Sequence, residues 1–455
     1  MSNKPRLKYN QIWNLNFGYL GLQVCLSLVI ANTSRIFSAL GAETHELASL
    51  WLVAPLAGLV LQPIIGYASD RTWTALGRRI PYILLGVCLT AVMMFIMPSS
   101  HLLSGVVAPI AIGVLVFFTI QCALNLTMQP YRSLVGDMVS VKQTNLGYSV
   151  QTGLANIGGI VGASLPFVLT SFGFDNEATT DQEVASSVVW SFYIGVLFLL
   201  ITGLWTCFSV KEYPPQEFEA YNKPAENSDV AVNGINEDRQ AIRIILQLSV
   251  VQFFSWFAFY YLWVYATDGI AYTVWHTHNP LSVAYNNAGN WFGIMTGVYC
   301  IVATLFSTVL PTISDRLGRK NLYSLALFIG GMSFITLPFL HNQYVLLIPM
   351  IGVGVAWAMT LTVPFALLAS FVPAHKMGLY MGLLNITIVI PQLVAGMLGS
   401  TILEYIANGN AIAMLTVAGM SLLIASLSVM LLDDNKRRGS NRASSFIQNH
   451  YSENY

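Results

Sequence analysis

The chain is 455 residues long, 55% hydrophobic and only 9% charged, with 21 basic and 21 acidic residues that balance. A soluble domain carries about 25% charged residues, so this composition excludes a water-exposed globular surface, and the mean hydropathy of +0.61 agrees. An integral membrane protein is expected, and the absence of net charge points to no nucleic-acid partner.

In chain order, MSNKPRLKYN is basic and precedes an apolar run without a small-residue cleavage site. It reads as a cytoplasmic tail before a retained first helix. A helix crosses a bilayer with roughly 20 apolar residues. Such runs occur at 12–32, 47–68, 80–98, 106–136, 146–171, 188–210, 242–267, 291–313, 321–340, 344–372, 377–403 and 411–432. They are continuous rather than alternating with period two, which argues against barrel strands. The expected fold class is an all-α membrane protein of twelve transmembrane helices.

The basic residues orient it. Arg132 lies within a span and Arg35 lies alone on one side, beside Asp175, Glu177, Asp181 and Glu183. Every other Lys and Arg falls on the opposite side. Cytoplasmic loops carry the Lys/Arg excess, so both termini are expected in the cytoplasm, with the chain in a cell (plasma or inner) membrane. The segment 211–241 is polar, Pro-rich and acidic and reads as a flexible linker. The organisation expected is therefore a six-helix half over 1–210, the linker, a second half over 242–434 and a cytoplasmic tail over 435–455.

The halves repeat one another. GYASDRTWTALGRR (66–79) is echoed by PTISDRLGRK (311–320), LTMQP (126–130) by LTVP (361–364), and GLAN (153–156) by GLLN (382–385). Two such halves joined by a cytoplasmic linker are the architecture of the major facilitator superfamily, which rocks around a midplane site. The repeated charged segments place Asp70, Arg71, Arg78 and Arg79, and then Asp315, Arg316 and Arg319, at helix ends. Ion pairs there can hold helices in one state and release them in another, a gating role.

Ionisable groups inside spans are costly and functional by default. Arg132 and Asp137 lie on the fourth helix, and Asp268 at the outer end of the seventh. These three are the candidates for proton coupling; Glu404 reads as interfacial. Residues five apart on a helix are separated by about 140° and 7.5 Å, so Arg132 and Asp137 do not face each other squarely. Gln23, Asn125, Gln129, Gln151, Asn156, Asn385 and Gln392 offer both donor and acceptor. The seventh helix, QFFSWFAFYYLWVYATDG, supplies aromatic walls, with Trp256 and Tyr260 foremost. Amides plus aromatic faces suit a sugar, a shell of hydroxyls with apolar C–H faces. The five cysteines are scattered, with neither metal nor redox spacing, and no metal, cofactor or enzyme motif is seen.

Taken together, NFGYLGLQVCLSL (16–28), GYASDRTWTALGRRIPYIL (66–84), NLTMQPYRSLVGDMV (125–139), QFFSWFAFYYLWVYATDG (252–269), TVPFALLAS (362–370) and GLYMGLLNITIVIPQLVAG (378–396) resemble the sucrose–proton symporters of plants and their animal and bacterial relatives. That is the glycoside–cation symporter branch of the superfamily. The resemblance implies uptake of a disaccharide with a proton. The arginine and aspartate of the family's fourth helix fall on Arg132 and Asp137, the aspartate of its seventh on Asp268, and its arginine run on Arg71, Arg78 and Arg79. Helix seven departs from the plant pattern, reading YATDGIAY where a tryptophan usually follows the aspartate, and the loop and tail are short. An α-glucoside such as maltose therefore suits the pattern as well as sucrose does. The partners expected are a small-molecule sugar, a proton and the lipid bilayer, with the chain a monomer. Sodium coupling, efflux of another small molecule and a non-transporting sensor are the competing readings.

Overall fold

A computed structural model describes residues 4–103, 108–140, 143–177, 184–222, 234–369 and 377–432. The expected tail over 435–455 and the middle of the expected linker, 223–233, lie outside the described residues. Among those described, twelve helices are long and apolar enough to cross a membrane. They are α1 (Tyr9–Ala39), α2 (Leu47–Arg71), α3 (Ile80–Leu102), α4 (Pro109–Met138), α5 (Leu146–Ser171), α6 (Ser186–Ser209), α7 (Ala241–Trp275), α8 (Val283–Leu310), α9 (Arg319–Phe339), α10 (Leu347–Leu368), α11 (Gly382–Tyr405) and α12 (Ala413–Leu431). In hydrocarbon every backbone group must be satisfied within its own segment, which is why long apolar runs become helices. Within the expected linker, Pro215–Asn222 is itself a short helix, and the helix carrying α7 already begins at Gly234.

The packing repeats with the sequence. In the first six spans α1 packs on α5 and α6, α4 on α2 and α3, and α3 on α6. Adding six to each label gives the second set: α7 on α11 and α12, α10 on α8 and α9, and α9 on α12. The two sets meet through α5 against α8 and α2 against α11, again one pairing and its counterpart. An even number of spans puts both chain ends on one side, called here the terminal face; the other side is the far face.

Three helices run well beyond their sequence-predicted ends; the seventh continues to Trp275, which puts Asp268 inside it. The first run extends to Ala39, so Arg35 lies inside α1 rather than in a loop. The eighth starts at Val283, capped by Ser282 Oγ, which accepts from the Tyr285 N–H at 3.2 Å. The polar string AYNNAGN made this segment look like loop, but its asparagines are turned inward. The helix that begins at Val283 ends inside the second charged repeat, at Leu317, and Gly318, with φ of 81°, makes the sharp turn into α9.

The two sets approach closely where glycine permits. A Cβ on Gly293 of α8 would stand 2.1 Å from the Ala163 carbonyl oxygen of α5, and one on Gly399 of α11 would stand 2.3 Å from the Ala48 Cβ of α2. Both points lie in the far-face half. Gly293→Ala should therefore force α5 and α8 apart, at a cost of about 1–3 kcal/mol to the far-closed state. The expected outcome is a lower melting temperature in detergent and faster labelling of far-face positions by a thiol reagent.

Candidate functional site

The far face is closed by a buried arginine. Arg35 is 1% exposed, yet among the described residues no carboxylate touches its guanidinium. Nε donates to Asn286 Oδ1 at 2.7 Å, Nη1 to Asn290 Oδ1 at 2.7 Å and Nη2 to Asn176 Oδ1 at 3.0 Å. Asn286 and Asn290 sit one turn apart on α8, and Asn176 follows α5. Asn290 also donates to Thr170 Oγ1 at 2.9 Å, and Asn176 to Asn287 Oδ1 at 2.7 Å. Gly289, between the two α8 asparagines, leaves room for the arginine: a Cβ there would meet Arg35 Cδ at 2.7 Å. A buried cation costs several kcal/mol in lost hydration. Three charge-assisted hydrogen bonds of about 1.5–3 kcal/mol each offset that cost. They do so only while α1 and α8, one from each set, stay together.

Further hydrogen bonds reinforce this closure. Thr44 Oγ1 donates to Asp268 Oδ2 at 2.7 Å, and Tyr285 also donates to the Asp268 carboxylate. Ser34 Oγ donates to the Val264 carbonyl at 2.9 Å, and Tyr260 OH to the Ala48 carbonyl at 2.5 Å. Asp268 thus stands about two turns before the end of its helix, with only hydroxyl donors around its oxygens. Tyr260, expected as a sugar wall, serves as a tie between the two sets.

Nearer the midplane an amide chain crosses the seam. Gln62 of α2 donates to Asn125 Oδ1 of α4 at 2.8 Å and accepts from Asn385 of α11. Two expected residues are thereby brought together by a third, Gln62, which the sequence reading passed over. Gln151 donates to the Tyr131 carbonyl at 3.3 Å. Gln23, Gln129, Asn156 and Gln392 are half-buried, with no side-chain hydrogen bond to another described residue.

The aromatic stretch of α7 closes around a residue from another helix, Trp357 of α10. Its ring centroid is 4.8 Å from Phe259, 5.5 Å from Trp256 and 5.7 Å from Trp263. Next to this cluster, polar groups are buried with no partner. The Trp256 indole N–H, both side-chain polar atoms of Gln252 and the Thr360 hydroxyl have none among the described residues. Gln252 precedes Trp256 by one turn, and Thr360 follows Trp357 by about one turn on a helix running the other way. Both therefore lie on the terminal-face side of the Trp256–Trp357 pair. Native proteins rarely strand buried polar atoms, so this group calls for a hydrogen-bonding occupant, a bound water or a polar solute. Neither Gln252 nor Thr360 was among the expected residues. The signal for Gln252 was present, an amide set inside an unbroken aromatic run.

At the terminal face the first charged repeat forms one network. Arg79 meets Asp70 at 2.5 Å and Asp137 at 2.9 Å, while Arg78 meets Asp137 at 2.6 Å. Glu212, just after α6, accepts from the Arg79 and Ile80 backbone N–H groups at 2.7 and 2.8 Å and so caps α3. Arg78 also lies over the Phe218 ring, at 4.1 Å. The network joins α2, α3, α4 and the segment after α6, all within the first set. Arg71 lies apart, over the Tyr67 ring at 3.8 Å. In the second repeat Arg316 and Arg319 make no ion pair among the described residues, and the side chain of Asp315 lies outside them. Arg132 and Asp137 are not paired with each other. Arg132 is exposed and hydrogen-bonded with Tyr19, well inside the length of α4.

Two matched six-span bundles of the same membrane orientation, which meet along a polar seam and are tied at one face, have the architecture of a membrane carrier built from parallel repeats. The chain belongs to the Major Facilitator Superfamily, whose model matches residues 15–395 and 248–449. It is similar to the sucrose transport protein SUC4 of Arabidopsis thaliana, 23% identical over 457 residues that cover 90% of this chain and 88% of the relative. It is also similar to the sucrose transport protein SUT5 of Oryza sativa subsp. indica, 25% identical and covering 86% and 81%. Among solved structures, the nucleoside transporter NupG superposes with a TM-score of 0.64 at 14% identity, covering 93% of this chain and 99% of that one. A POT family transporter in complex with a thioalcohol conjugated peptide gives 0.67 at 12%, covering 93% and 96%. At these identities the two structures speak to the fold alone.

Burial raises the pKa of Glu212, with the nearby Asp137 adding to it and the capping N–H groups opposing. A raised pKa means that the folded protein holds this proton more tightly than the unfolded chain. The stabilisation is therefore present at low pH and is lost as pH rises through the folded pKa. Thermal stability in detergent should fall across that interval, and Glu212→Gln, which keeps an acceptor for the cap, should flatten the dependence.

Proposed function

We propose that this chain is a secondary active transporter that takes up a disaccharide, an α-glucoside such as sucrose or maltose, together with a proton, by alternating access. The basic residues put the terminal face in the cytoplasm. Arg132 is exposed within an apolar span, and an arginine facing lipid there would be costly. It therefore faces a water-filled cleft open to the cytoplasm, and the outer side is the closed one. On this reading the two halves are residues 1–210 and 242–434.

The observation that carries the sugar reading is the set of unpartnered polar groups at Gln252, Trp256 and Thr360, beside the Trp357 cluster. Amide, indole N–H and hydroxyl meet hydroxyls, and the tryptophan faces meet C–H surfaces. The sucrose transport proteins that resemble the chain along most of its length favour the same class of solute. Gln23, Gln129, Asn156 and Gln392 add further amides, and the Gln62–Asn125–Asn385 chain breaks and reforms as the halves rock. Arg132 holds a sugar hydroxyl from the cytoplasmic side.

Asp268 carries the coupled proton. Its neighbours Thr44 and Tyr285 are hydroxyls, which can donate to a carboxylate or accept from a carboxylic acid, so either protonation state keeps hydrogen bonds. Asp137, held by two guanidinium groups, works with Asp70, Arg78 and Arg79 to fix the cytoplasmic ends of the first half. Proteoliposomes with an inward proton gradient should accumulate labelled maltose or sucrose, and an uncoupler should abolish the accumulation. Asp268→Asn should lower gradient-driven uptake about tenfold or more, as when a step becomes ~1.4 kcal/mol harder, while sparing sugar–sugar exchange. Accumulation driven only by sodium would overturn the proton assignment. Accumulation of neither sugar under either gradient would overturn the sugar reading.

A further inference from the structure

We infer that the far face carries a second saccharide site, an external vestibule distinct from the Gln252–Trp256–Thr360 locus. A cavity of about 730 Å³ lies there, inside the roughly 300–1,000 Å³ range of small-molecule pockets. Its walls come from both sets of six. The α1–α2 loop supplies Thr44 and His45, the end of α7 supplies Asp268 and Tyr272, and the α11–α12 corner supplies Asn408 and Asn410. Tyr272 and His278 stack at 4.5 Å with 26° between their planes. The α11–α12 corner is held in shape: Asn408 and Gly409 adopt φ of 51° and 75°, and the Gly409 N–H donates to the Leu403 carbonyl at 2.8 Å.

The chemistry of the lining selects the occupant. Among the described residues, carboxylates line the cavity at Glu43, Asp268 and Glu404, beside His45 and His278 and with no lysine or arginine, so anions such as sugar phosphates are disfavoured. Among the described residues no group of three His, Cys, Asp or Glu side chains is placed to hold a metal ion. A monovalent cation would also suit the carboxylates, and the sodium chloride arm of the test below reads it; amide, hydroxyl and aromatic groups side by side favour a neutral polyhydroxylated molecule. Carboxylate and amide groups take its hydroxyls, and the aromatic surface of Tyr272 takes its C–H face. The orientation that makes this site external, and a sugar its natural visitor, rests on the transport reading above.

The position has a mechanistic consequence. Opening the far face would pull the α1–α2 loop away from Asp268 and the α11–α12 corner and so dismantle the cavity. An occupant therefore binds the far-closed state alone and stabilises it by RT ln(1 + [L]/Kd). High external sugar should slow the return of the empty carrier, so uptake should pass through a maximum and then decline as sugar is raised.

The test reads binding separately from transport. In intact cells, Asn410→Cys is labelled from outside with a membrane-impermeant maleimide; the native cysteines all lie within spans. Maltose or sucrose should slow the labelling about tenfold at ten times the site's Kd. The protection should persist when Gln252→Ala is added to remove the central site, and Tyr272→Ala should shift it to higher sugar concentration. Loss of protection in the Gln252→Ala background would assign it to the central site and overturn the inference, as would protection by sodium chloride instead of sugar. Protection without transport of either sugar would defeat the transport reading alone. Transport without protection would defeat this inference alone.

Discussion

A guanidinium buried in a membrane protein must find its compensation locally, and Arg35 finds it in three asparagine carbonyls drawn from both six-span sets. Much of the far-face geometry depends on that requirement. The asparagines are neutral, and among the described residues no carboxylate of its own half touches the Arg35 guanidinium. The positive charge is satisfied only while α1 lies against α8. Gly289 and Gly293 then allow α8 to approach at the necessary distance. An ion pair inside one half would have stabilised that half whatever the state of the carrier; a cation with two of its three partners on the opposite half stabilises one state.

The two faces thus use different physics. At the far face the ties are one buried cation, the Thr44 hydroxyl on the Asp268 carboxylate, and neutral hydrogen bonds from Ser34 to Val264 and Tyr260 to Ala48. At the terminal face the ion pairs among Asp70, Arg78, Arg79 and Asp137 stiffen the first set internally. Arg78 and Arg79 are themselves buried, but carboxylates of the same set neutralise them whatever the state of the carrier, whereas the far-face ties cross from one set to the other and must break when that face opens. Between the faces, the amide chain through Gln62 can exchange partners without stranding a charge.

Some of this was legible in the sequence and some was not, for identifiable reasons. The twelve spans and the sixfold shift in packing follow from hydrophobic runs and repeated segments, signals spread over many residues. The Arg35 cradle was hidden because hydropathy treats asparagines as loop. Residues 284–290 were assigned outside the eighth span, and Arg35 outside the first, for the same cause. Each is polar only because it satisfies the other. Gln62 and Trp357 were missed because a lone amide beside a proline, or one tryptophan in an apolar run, looks like packing until the neighbouring helix is in place. The aromatic stretch of α7 was seen, but not which rings turn to α10 and which, like Tyr260, tie the halves. For the first charged repeat the sequence located Asp70, Arg78 and Arg79. It could not supply Glu212, which arrives from beyond α6.

The account stands or falls on Arg35 as the element that holds the far face closed. The most direct measurement is the distribution of distances between spin labels at Glu43→Cys and Tyr405→Cys, two far-face positions on opposite sets, in lipid nanodiscs. With Arg35 present, the distribution should be dominated by the short separation of the closed face. With Arg35→Gln it should move to longer separations while the protein stays folded. An unchanged distribution in a folded Arg35→Gln protein would contradict the account.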